Sequence, residues 1–128
     1  MSWYAAHVLM YVRLKDRTQD HFPIWENIIL LNANSEEDAF IKAEKRGHED
    51  AGDDDASFRW AGEPAEWVFA GVRKLTSCED SERRPNDGTE ITFLEMQVSS
   101  KRDIEKLLEG EPVTINVMDK FGVTSPER

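Results

Sequence analysis

A chain of 128 residues holds one ordinary domain and leaves no room for a catalytic domain beside a separate recognition domain. Its 16 basic and 26 acidic residues give a net charge of −10, opposite in sign to a polyanion binder, so nucleic acid is not an expected partner. A 39% apolar fraction with four Trp and six Phe can build a core unaided, and a single cysteine, Cys78, cannot close an internal disulfide, so the cytoplasm is the expected compartment.

The N-terminal stretch has no basic start, is broken by His7 and ends at Arg13, too short to span a bilayer, so neither secretion nor membrane insertion is expected. Residues 3–14 alternate with period two. Tyr4, Ala6, Val8, Met10, Val12 and Leu14 form one apolar face, and Trp3, Ala5, His7, Leu9, Tyr11 and Arg13 the other. A polar turn over residues 15–20 leads to a second strand at residues 24–33, and the two should form a hairpin. Ser35 followed by Glu36, Glu37 and Asp38 signals a helix start, with Gly47 as its candidate stop. An acidic loop at residues 50–55 precedes a short strand at 57–61, and Gly62-Glu63-Pro64 supplies a turn.

Residues 66–76 alternate again and predict a central strand, with Trp67, Phe69, Gly71, Arg73 and Leu75 on one side. Pro85-Asn86-Asp87-Gly88 predicts a long hairpin loop into a strand at residues 90–98. Ser100 and Asp103 cap a second helix that Gly110 and Pro112 end, and residues 113–120 read as an edge strand. The expected class is α+β, a mostly antiparallel sheet of about six strands with two short amphipathic helices on one face, in the order β-β-α-β-β-β-α-β.

Chemistry-bearing motifs are sparse. No Gly-rich phosphate cradle and no nucleophile elbow occurs, and Cys78 is flanked by Glu79 and Asp80, so no cofactor and no thiol chemistry are expected. His48, Glu49, Asp50 and Asp53 to Asp55 concentrate metal-ligand types, but their spacing does not fit a calcium loop, and a solvated connection is the expectation. His7, Glu26 and Arg73 each interrupt an apolar strand. Brought together, they could position and protonate a small ligand; equally, Arg73 could pair with Glu26 across strands while His7 is simply hydrogen-bonded. A sheet apolar on both faces needs cover on both, and two short helices cover one. A homodimer or protein partner is therefore expected, with Trp3, Trp25 and Trp67 as the candidate surface.

Trp3-Tyr4-Ala5-Ala6-His7, Trp25-Glu26-Asn27-Ile28, Ser35 to Ala39 and Trp67-Val68-Phe69-Ala70-Gly71-Val72-Arg73 together resemble a bacterial group, domain of unknown function 4288, over about residues 3–100. The resemblance implies a compact cytoplasmic bacterial protein and transfers no activity. Two functions compete: a non-enzymatic interaction or small-ligand-binding domain, and a small-molecule enzyme using His7, Glu26 and Arg73. An enzyme should enclose those three in a pocket, whereas an interaction module should present them on an open face.

Overall fold

The computed structural model describes residues 1–53 and 56–119. Six strands and two helices follow the predicted order: β1 (Ser2–Leu14), β2 (Ile24–Ala33), α1 (Glu36–Asp50), β3 (Arg59–Trp60), β4 (Glu63–Ser77), β5 (Met96–Gln97), α2 (Lys101–Glu109) and β6 (Asn116–Val117). They form a four-stranded antiparallel sheet ordered β2-β1-β4-β3 and a separate two-stranded sheet of β5 and β6.

The β1–β2 hairpin keeps one register from Ser2 opposite Ala33 to Tyr11 opposite Ile24, so side chains alternate strictly across its faces. One face buries Ala6, Ala33 and Leu75 against Ala39 and Ala43 of α1, with Tyr4, Ile29, Leu31, Phe40 and Val72 packed around them. Small side chains let the helix backbone approach closely. Ser35 Oγ accepts the Asp38 N–H at 3.1 Å, and three acids occupy the first turn, where the helix dipole favours them.

Several boundaries depart from the sequence reading. The helix runs through Gly47, because that glycine provides clearance instead of a stop: a Cβ there would lie 2.4 Å from the Phe69 ring. β4 already begins at Glu63, with Pro64 opposite Arg59 of the two-residue β3, so the turn sits earlier and the predicted 57–61 strand shrinks. Of the predicted 90–98 strand only Met96–Gln97 pairs, and its partner is β6, not β4. Polar groups of residues 92 and 93 bond to the sheet's face and are not in a ladder. The predicted edge strand 113–120 contracts to Asn116–Val117, and Lys120 lies outside the described residues. Among the described residues α1 is the helix that packs on the sheet. α2 is capped as expected, by Ser100 and by Gly110 in the left-handed conformation, yet none of its side chains is buried.

β4 carries the largest departure. Opposite β1 its register slips twice, leaving Ala70 and Arg73 as extra residues, with Gly71 at φ +149° beside the first. Uninterrupted alternation would put Arg73 on the α1 face with Leu75. The bulge releases it to the other face.

Candidate functional site

That other face gathers the three candidates, one from each neighbouring strand. β1 supplies His7, β2 supplies Glu26 opposite Leu9, and β4 supplies Arg73 from its bulge. His7 Nδ1 bonds to Glu26 Oε2, and Arg73 Nη2 donates to the same oxygen at 2.6 Å. His7 Nε2 lies 2.7 Å from Thr92 Oγ1. A neutral ring with its proton on Nδ1 satisfies both contacts, donating to the carboxylate and accepting from the threonine hydroxyl.

Two residues absent from the predicted set complete the cluster. The Lys74 ammonium, fully buried, donates to Asp119 Oδ2 at 2.7 Å and to the Phe93 carbonyl, and sits 3.7 Å from the centre of the Phe93 ring. Arg73 Nη1 donates to the other Asp119 oxygen at 2.9 Å. Consecutive cations of a regular strand would face opposite ways; the bulge lets both reach one carboxylate. Thr92, Phe93 and Asp119 all belong to the chain beyond β4. The cluster therefore fastens that segment to the sheet.

Electrostatics follow from this enclosure. Burial lowers the His7 pKa, and the hydrogen bond to Glu26 only partly offsets it, so the ring stays neutral near pH 7. Burial pushes the Glu26 carboxyl upward, but hydrogen bonds from Arg73 and His7 outweigh it and leave the group below the ordinary carboxylate value. Asp119 is likewise opposed by burial, yet Arg73 and Lys74 hold it down at about 2. Burial alone raises the Cys78 thiol, which sets it against nucleophilic use.

The acidic loop divides. Asp53 accepts Lys15 Nζ at 2.9 Å and the Ser57 and Phe58 N–H groups, and the lysine bond is the main reason its pKa is lowered. His48 packs edge-on against Phe69 at 4.8 Å. Asp54 and Asp55 lie outside the described residues, and among those described no group of three or more His, Cys, Asp or Glu could hold a metal. No helix among the described residues is long and apolar enough to cross a membrane.

A family model described as a domain of unknown function, DUF4288, matches residues 3–92. The chain belongs to that family. Neither a curated protein nor a solved structure matches it. His7, Glu26, Arg73, Lys74 and Thr92 fall inside the DUF4288 match, whereas α2 and Asp119 fall beyond it. The chain fastened by the cluster is thus largely an extension of the DUF4288 region.

On the α1 face the DUF4288 region also carries an open cleft of about 370 Å³, lined by Met10, Trp25, Asn27, Asp50 and Trp67. Met10 of β1 floors it, with Trp25 directly opposite on β2 and Trp67 on β4. Trp25 meets Trp67 edge to face at 4.9 Å and Trp60 at 5.6 Å, while Phe58 stacks on Trp67 at 5.4 Å. Trp3 stands apart. It pairs with Asn32 on the opposite face, seven positions along β1 from the Met10–Trp25 pair. Neither this cleft nor a second one of about 310 Å³ beside Leu14, Trp60 and Glu63 is lined by His7, Glu26 or Arg73.

Proposed function

We propose that this domain is a non-enzymatic interaction module of the cytoplasm that takes a basic side chain of a protein partner at the tryptophan cleft. The observation that carries the reading is the cleft's chemistry: two touching indoles beside the Asp50 carboxylate and the Asn27 amide. A cation over an indole face gains roughly 0.5–1 kcal/mol when exposed and about 2 when desolvated. Asp50 already holds one guanidinium, since Arg46 Nε donates to it at 2.9 Å, and this half-exposed pair is weak enough to be joined or displaced. A net charge of −10 adds long-range attraction for a basic partner. His7, Glu26 and Arg73 point the same way, because both His7 ring nitrogens, Glu26 Oε2 and both Arg73 Nη atoms are bonded within the protein's own chain, while Arg73 Nε is buried without a partner, and all three residues stand outside both clefts.

The test is titration with a short arginine-rich peptide, followed by tryptophan emission. Binding should weaken about tenfold in Asp50→Asn, the loss of one charge-assisted contact, and weaken further with added salt. Affinity that ignores salt, Asp50→Asn and Trp25→Ala alike would overturn the reading.

A further inference from the structure

We infer that the open edge of β2 pairs antiparallel with β2 of a second copy, extending the sheet across a twofold axis at Ile29. This goes beyond the cleft reading, since it uses the strand's edge and the opposite face of the sheet.

Among the described residues no strand borders β2 on its outer side. An unpaired ten-residue edge about 33 Å long presents outward N–H and C=O groups, of which the Asn32 carbonyl near its end accepts from Lys42 Nζ of α1 at 2.5 Å. Protected edges carry lysine, proline or a bulge. Residues 24–33 contain neither lysine, arginine nor proline, and β2 keeps one register against β1 with no bulge, unlike β4. Its one ionisable side chain, Glu26, is bonded to His7 and Arg73 of the same molecule. In a chain of net charge −10, β2 thus carries no unpaired charge of its own, and the Lys42 ammonium of α1 meets its edge at the Asn32 carbonyl, beyond Ile28 and Leu30.

The side chains favour a second copy over a foreign strand. Ile24, Ile28 and Leu30 are 59%, 46% and 41% exposed, and all three face the His7 side, opposite Tyr11, His7 and Ala5. A twofold axis perpendicular to the sheet reverses strand direction while keeping the faces in common. It therefore sets Ile28 and Leu30 of one copy beside Ile28 and Leu30 of the other. One exposed stripe covers itself, and the contact closes at two copies.

The mass of the full chain should be measured by sedimentation over a range of concentrations. The wild type should reach twice the 14.7 kDa of one chain. Ile28→Lys with Leu30→Lys should stay monomeric with unchanged far-UV circular dichroism. Ile104→Lys with Leu108→Lys, on the exposed face of α2, should still dimerise. If the β2 variant fails to fold, Ile28→Cys with Leu30→Cys in a Cys78→Ala background decides, giving a crosslinked dimer on mild oxidation where Ile104→Cys in the same background gives none. A wild type that remains monomeric to millimolar concentration, a dimer lost in the α2 variant and kept in the β2 variant, or a monomer that takes a foreign strand at this edge would each overturn the proposal. Asp50→Asn should leave the dimer intact, so failure of the cleft reading and failure of this one are separable.

Discussion

Ala6, Ala33 and Leu75 on one face of the sheet meet Ala39 and Ala43 of α1, while on the other face His7 and Lys74 meet Thr92, Phe93 and Asp119 from the chain beyond β4. The first closure is apolar contact between small side chains, which tolerates change when volume is kept. The second is a desolvated charge network, which stabilises only while every member is present, because one missing partner leaves a buried charge unpaired. A catalytic-looking trio thus arises where a sheet face is closed by polar chain instead of a second helix.

The sharpest way to break this contrast is to remove one charge. Asp119→Ala strands the buried Lys74 ammonium and should cost about 3–5 kcal/mol in denaturant unfolding. It should also expose residues 92–119 to proteolysis while the β1–β2 hairpin stays protected in hydrogen exchange. On the apolar side, Gly47→Ala would gain up to about 1 kcal/mol from helix propensity alone. Its Cβ runs into the Phe69 ring, however, and overpacking costs of about 1–3 kcal/mol make the expected outcome a lower melting temperature.

Helix caps separate the two regions more finely. Ser35→Ala should destabilise the whole domain by about 1 kcal/mol, since α1 is part of the core. Ser100→Ala removes an equivalent cap from α2, which buries nothing, so it should fray that helix in circular dichroism and leave the global unfolding midpoint almost unmoved.

Of the two closures, acid should act on the polar one. His7, Glu26 and Asp119 all have lowered pKa values when folded, so in each case the unfolded chain binds more protons. Stability is then fully present above the ordinary histidine value of about 6.5 and falls as pH drops through that window. It falls again below the ordinary carboxylate range as Glu26 and Asp119 protonate. His7→Gln should flatten the upper part of that profile and leave the lower part in place.

How far these regions could be read from sequence follows the same division. Period-two alternation located β1 and β2 almost to the residue, and Ser35, Ser100 and Gly110 marked helix ends through short-range hydrogen bonding that a local pattern carries. His7, Glu26 and Arg73 stood out because each breaks an apolar strand. Lys74 broke the same strand as Arg73 but gave no sign of burial, and nothing near Asp119 tied it to a partner 45 positions earlier. The bulge at Arg73 was likewise invisible, since register slips are settled by cross-strand pairing and not by the strand's own residues. The strand predicted at 90–98 had the right pattern, but Thr92 and the Phe93 carbonyl are engaged by His7 and Lys74.

The claim that the polar cluster fastens the protein's own chain is tested most directly by a double-mutant cycle on Lys74 and Asp119, measured by equilibrium denaturation. Lys74→Met and Asp119→Leu should each lose about 3–5 kcal/mol, while the double variant, which leaves no fully buried charge unpaired and keeps the partly exposed Arg73 on Glu26, should return to within about 1–2 kcal/mol of wild type. Losses that simply add, with the double variant worse than either single one, would contradict the account.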